Sequence, residues 1–272
     1  MRAGVCGRSA VAIGIVALFL IASGPASAQG DPVKIEWLSW SIFRMTSPTG
    51  KVILTNPFVT NPDSPVKAAD IGKADIILVA DGHPDEVGSA AEIALNTKAQ
   101  VVTTHELAWG FLKAKGLPET QARTGQPGER FRFDGITVRL VNSVHGSGNP
   151  EPPGYFGGAA LGFFITFENG LTVYFSGSTA LTMDMQLWGS MYQPDVAILV
   201  LQGNRDVKDI AQMARFLAMG NPRLRTVIPH HHRLQPPAGA PTPQDLAREI
   251  QALNLPVTVL NPELKKVYTL SP

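Results

Sequence analysis

The stretch Ala74-Asp75-Ile76-Ile77-Leu78-Val79-Ala80-Asp81-Gly82-His83-Pro84-Asp85-Glu86 decides how this chain folds. Residues 76–79 are unbroken apolar residues of strand length, the pattern of a strand covered on both faces. The polar turn that follows crowds four potential ligands, Asp81, His83, Asp85 and Glu86, into six positions. A strand end holds its loop rigidly, so side chains there can converge on one ion. Asp-Gly and Pro-Asp are also turn dipeptides, so this stretch taken alone reads as a solvated loop too.

Upstream of it, residues 34–39 and 42–46 read as strands, and Pro48-Thr49-Gly50 turns the chain into a third at 52–55. Downstream, a short helix is expected through residue 93, then a strand at 101–102. Thr103 and Glu106 suggest a capping box for a helix that runs to Lys115 and stops at Gly116, with Pro118 behind it. The middle of the chain is mostly β. Residues 130–133 and 136–141 pair across Asp134-Gly135, and 163–168 and 171–176 pair across Asn169-Gly170.

Alternation of strand and helix then returns. Residues 196–201 form a strand, and Ile210, Met213, Ala214 and Leu217 have helical spacing closed by Gly220 and Pro222. A strand at 226–229 precedes a helix opened by Thr242-Pro243, and strands at 257–260 and 266–270 finish the chain. Two β-rich halves, each followed by helices, predict an α/β sandwich of two mixed sheets flanked by helices. The Pro/Gly-rich stretches 146–158 and 235–243 are expected as loops near a mouth.

With 272 residues, 44% of them apolar and 17% charged, the chain is neither disordered nor a solvated coil. Its 23 bases nearly balance its 22 acids, which sets aside a protein that binds nucleic acid through phosphates. Residues 1–28 read as a signal peptide: Arg2 and Arg8, an apolar run at 10–22, and an Ala26-Ser27-Ala28 cleavage site. That reading predicts a periplasmic or secreted protein with one domain, 29–272, and no membrane segment after cleavage. The only cysteine, Cys6, lies in the leader, so a metal in the mature chain would need His and carboxylate ligands.

Two more candidates sit just past strand ends. His145 follows the strand at 136–144, and His231 lies in Pro229-His230-His231-His232-Arg233 after the strand at 226–229. Alternation along an extended segment would send His230 and His232 one way and His231 the other. His105, first residue of a capped helix, is expected on the surface and outside this set.

These residues together resemble the metallo-β-lactamase superfamily, most closely its branch of metal-dependent hydrolases like the ascorbate-phosphate lactonases. The resemblance runs from Lys34-Ile35-Glu36-Trp37-Leu38 through Thr55-Asn56-Pro57-Phe58 and the ligand-rich turn. It continues through Val144-His145, Ser176-Gly177-Ser178-Thr179, Lys208-Asp209 and Pro229-His230-His231. It implies an αββα sandwich holding one or two divalent ions at the sheet edges. It also implies a metal-bound hydroxide that attacks an ester, lactone, amide or phosphodiester.

Several positions depart from the family pattern His-x-His-x-Asp-His. Asp81 and Glu86 replace its first and last histidines, Ser178 replaces the bridging aspartate, and Asn56 and Asn204 stand where Asp and His are usual. Carried over, Asp81, His83 and His145 form a first metal site, and Asp85, Glu86 and His231 a second, with Ser178 at the bridge. Carboxylates rise from two to three and imidazoles fall from five to three, which suits harder ions such as Mn²⁺ or Mg²⁺ better than the family's usual Zn²⁺, and Mn²⁺ or Zn²⁺ are the ions expected. Asp85 would orient the attacking water and His231 would touch the leaving group of a small-molecule substrate. Asn204, Arg205 and Tyr155 are candidate substrate contacts. A non-catalytic binding protein that keeps the fold is the alternative, and a secreted β-lactam-degrading enzyme a third reading.

Overall fold

The computed structural model describes residues 30–149 and 154–272, besides Met1, Ala3 and Gly4. The arginines, apolar run and cleavage site of the expected leader lie outside the described residues.

The first half of the chain builds one sheet from β1 (Val33–Trp37), β2 (Phe43–Thr46), β3 (Val52–Thr55), β4 (Ile76–Leu78), β5 (Gln100–Thr103) and β6 (Ala122–Thr124). The second half contributes β7 (Arg130–Phe133) and β8 (Ile136–Asn142), a small hairpin of β9 (Gly148–Asn149) and β10 (Tyr155–Phe156), then β11 (Leu161–Thr166) and β12 (Thr172–Phe175). The strands β13 (Val196–Val200), β14 (Thr226–His230) and β15 (Thr258–Val259) complete the second sheet, and β16 (Val267–Leu270) returns to pair with β1.

Sheet order is β16-β1-β2-β3-β4-β5-β6 in the first and β15-β14-β13-β12-β11-β8-β7 in the second. Each sheet is antiparallel on one side and parallel on the other. The two Asx-Gly turns link β7 to β8 and β11 to β12, as expected.

Alternation explains the long apolar runs. Along β4, Ile76 and Leu78 face the core between the sheets, while Ile77 and the following Val79 face helices. In the second sheet Phe163 and Phe175 point inward, and Phe164 and Tyr174 point outward. The outer face of the first sheet is covered by α1 (Pro84–Val87), α2 (Ala90–Thr97) and the segment opened by α3 (His105–Leu107). That of the second is covered by α4 (Asp184–Tyr192), α5 (Val207–Ala218) and α6 (Pro243–Ala252). The result is the expected αββα sandwich.

Two local expectations are corrected. The single short helix after the ligand-rich turn is two helices, broken at Gly88. Its φ is +46°, and a Cβ there would stand 2.4 Å from the Pro57 carbonyl oxygen, so the backbone packs where no side chain fits. The capping box at Thr103 does not form either. Thr103 ends β5 and donates its hydroxyl to the Val79 carbonyl, while Thr104 caps α3 by accepting from the Leu107 amide. Beyond α3 the chain widens into a π turn over Ala108–Leu112, where the Lys113 amide donates to the Ala108 carbonyl.

Candidate metal centre

Four loops that follow strand ends, after β4, β8, β12 and β14, bring the candidate ligands to one end of the sandwich. The first, after β4, carries Asp81, His83, Asp85 and Glu86. Its path is fixed on one side by Asn56, whose Oδ1 accepts from the Ala80 amide at 2.9 Å. On the other side Gly82 lies so close to the Ser147 carbonyl that a Cβ would stand 2.7 Å from its oxygen. Tyr155 donates its hydroxyl to the Gly82 carbonyl at 3.3 Å and stacks on Phe111. Pro84 then starts α1, which places Asp85 and Glu86 on its first turn.

Asp81, His83 and His145 each bring one ligand atom within 4.8 Å of the others. The rings of His83 and His145 meet edge to face with centroids 5.0 Å apart. One oxygen of Asp81, Oδ1, accepts from the His83 amide at 2.9 Å and lies 2.8 Å from its Nδ1. That hydrogen bond raises the His83 pKa, whereas desolvation by the surrounding protein lowers that of His145.

The remaining candidates gather beside this trio. His231 Nε2 lies 3.0 Å from Glu86 Oε1 and 3.8 Å from Asp85 Oδ2. Ser178, on the loop after β12, donates its hydroxyl to the same Glu86 oxygen at 2.6 Å. Burial pushes the Glu86 carboxyl up to about 7, against the opposing pull of His231 and of the Ser178 hydrogen bond. His231 has a left-handed backbone (φ +64°), which ends the extended run at His230. Strict alternation therefore fails at 230–232. All three rings are buried, and His232 stacks on Trp37 with centroids 4.7 Å apart.

The donor set suits a divalent cation. Asp81 Oδ2 and Glu86 Oε2 are both buried and without a hydrogen-bond partner among the described residues. Two shielded carboxylate oxygens left unpaired are costly unless positive charge is supplied.

Three neighbouring residues complete the surroundings. Trp40, which no motif singled out, donates its indole N–H to Asp85 Oδ2 at 3.2 Å, and its carbonyl accepts from the His231 amide at 3.0 Å. Its backbone and that of Ser39 both have positive φ, so this contact is built on an unusual loop that composition does not reveal. Arg205 is a brace: its guanidinium donates to the Ser178 and Thr179 carbonyls. Asn204 lines a cavity of about 300 Å³ together with Trp40, His231, Arg233 and Pro237. A larger cleft of about 570 Å³ lies behind α1 between Phe58, Leu95 and Phe111, and none of the candidate ligands lines it.

Comparison with known proteins agrees with this arrangement. The sequence profile described as the beta-lactamase superfamily domain matches residues 34–231. The chain is 32% identical to a UPF0173 metal-dependent hydrolase of Myxococcus xanthus, over 88% of this chain and 84% of that one. It is 32% identical to a metal-dependent hydrolase of Thermodesulfovibrio yellowstonii, over 90% and 95% of the two chains. Among solved structures, a metallo hydrolase from the hyperthermophilic archaeon Ignicoccus hospitalis superposes with a TM-score of 0.71 at 26% identity. It covers 87% of this chain and 98% of its own.

Proposed function

The chain belongs to the beta-lactamase superfamily as a metal-dependent hydrolase, and we propose that it is an exported enzyme acting on a small ester, lactone or phosphodiester. The observation that carries this reading is the pair of buried, unpartnered carboxylate oxygens, Asp81 Oδ2 and Glu86 Oε2, among three histidines.

Asp81, His83 and His145 would hold one divalent ion; Asp85, Glu86 and His231 offer a second place beside it. Bound there, such an ion supplies Lewis acidity, polarising the substrate oxygen and lowering the pKa of water. The neutral Ser178 hydroxyl cannot offset repulsion between two ions as a bridging carboxylate does, so the first site is the tighter one. Three carboxylates favour hard ions, Mn²⁺ ahead of Zn²⁺. Asp85, held by the Trp40 indole, orients the attacking water and takes its proton. His231 stands on the cavity wall, where the leaving group departs.

Metal content of the purified protein, followed by assays with bis-p-nitrophenyl phosphate, a lactone panel and a β-lactam with added Mn²⁺ or Zn²⁺, tests the proposal. Turnover on one of the first two classes, abolished by chelation and restored by metal, is expected. Tight metal binding with no turnover would instead make the chain a binding protein.

A further inference from the structure

His230 takes no part in the site just described, yet it touches a residue that does. It is fully buried, its ring centroid 4.9 Å from that of Phe175 and 6.5 Å from that of Phe43. An imidazole shielded from water among these rings is neutral and carries one N–H. Its two nitrogens have different neighbours: Nε2 lies 3.2 Å from Ser176 Oγ, and Nδ1 lies 2.8 Å from Nδ1 of His231.

The serine sets the direction of the whole chain of bonds. Ser176 Oγ is 2.7 Å from the Gly177 carbonyl oxygen, which only accepts, so the hydroxyl hydrogen goes there. The same Oγ already receives the Val200 amide at 3.2 Å. His230 must therefore bring its own hydrogen on Nε2, which leaves its Nδ1 bare. Across 2.8 Å the donor is then Nδ1 of His231, and Nε2 of that ring is the nitrogen turned toward Glu86 and Asp85.

We infer that His230 is a positioning residue that accepts the Nδ1 hydrogen of His231 and so presents His231 Nε2 as the metal-ligating nitrogen. Ring nitrogens of metal-bound histidines are commonly oriented in this way by a partner on the opposite nitrogen, usually a carboxylate or carbonyl. Here a second imidazole, anchored through Ser176 to the backbone of the loop after β12, takes that place. The inference rests on reading His231 as a ligand.

Long-range ¹H–¹⁵N spectra of the histidine-labelled full chain, with and without Zn²⁺, test it. Hydrogen on His231 Nδ1 and on His230 Nε2 is expected in both states, and a bare His231 Nδ1 would overturn the inference. In His230→Leu the Nδ1 hydrogen of His231 loses its acceptor, and Zn²⁺ affinity by calorimetry should fall by about ten- to a hundredfold. His230→Asn, whose Oδ1 can reach the place of Nδ1, should recover most of that loss. Affinity in His230→Leu equal to the parent's would also overturn it. The parent spectrum stands whether or not His230→Leu folds. A parent that binds no Zn²⁺ removes the proposed function, while the tautomer spectrum still decides this inference.

Discussion

Ser178 donates its hydroxyl hydrogen to Glu86 Oε1 across 2.6 Å, tying the loop after β12 to the first turn of α1. At the position that the family resemblance marks as the bridge, this chain has a neutral donor, and a longer carboxylate reaches to it from the opposite sheet.

Ser178→Asp should convert a single tight site into two. The new carboxylate would face Glu86, and two unit charges about 4 Å apart at an effective dielectric of about 20 repel by roughly 4 kcal/mol. The ion-free variant should therefore melt below the parent and rise above it once Mn²⁺ is added. Calorimetric stoichiometry should move from one ion per chain to two. A parent that already binds two ions equally well would refute the mononuclear reading.

Glu86→Gln separates ion binding from folding. Gln keeps an acceptor for the Ser178 hydroxyl while removing a buried charge, so ion-free stability should stay within about 1 kcal/mol of the parent. Mn²⁺ affinity should drop at least about tenfold. Paired denaturation and titration curves check both directions.

Trp40→Phe deletes the indole hydrogen bond to Asp85 and keeps most of the packing against Phe58. A hydrogen bond to a charged group is worth roughly 1.5–3 kcal/mol. In steady-state kinetics on whichever substrate is turned over, kcat should fall about tenfold or more with little change in KM.

Gly88→Ala should destabilise the fold by about 3 kcal/mol or more. The new methyl meets the Pro57 carbonyl at 2.4 Å, and the backbone φ is positive. Urea denaturation of the variant gives the value directly. A loss below about 1 kcal/mol would show that the α1–α2 break does not depend on the missing side chain.

Export predicts that the mature protein begins at Gln29. N-terminal sequencing of the periplasmic or secreted fraction decides it, and an intact chain retained in the cytoplasm would rule it out.

Much of the fold was legible because burial on both faces writes itself as unbroken apolar runs, as in 76–79 and 196–200. The Asx-Gly hairpins were legible for a local reason, since Asp134, Gly135 and Gly170 all take positive φ, which those residue types favour. The candidate set could be assembled because each member stands just past a strand end. What could not be read depends on contacts distant in sequence. The helix break at Gly88 follows from the approach of Pro57, and the cap moved to Thr104 because Thr103 is committed to the Val79 carbonyl. Trp40 is the clearest omission, since only its loop geometry brings the indole to Asp85. The Pro/Gly-rich stretch 235–243, expected as a loop near a mouth, contributes Pro236, Pro237, Ala240 and Pro241 to the wall of the cavity beside His231.

Asp81, His83, Asp85 and Glu86 hang from the first sheet, and His145, Ser178 and His231 from the second. An ion shared between them would be a clasp across a seam that hydrogen bonds such as Ser178 to Glu86 and the His231 amide to Trp40 already cross at this end. Its binding energy adds to the work of prying the sheets apart, by an amount that grows with the logarithm of free ion. In the exported, cysteine-free chain proposed above, such a clasp would be the counterpart of the cross-link that a disulfide gives other exported proteins. Protease resistance of such an exported chain would then rise with the supply of free ion around it.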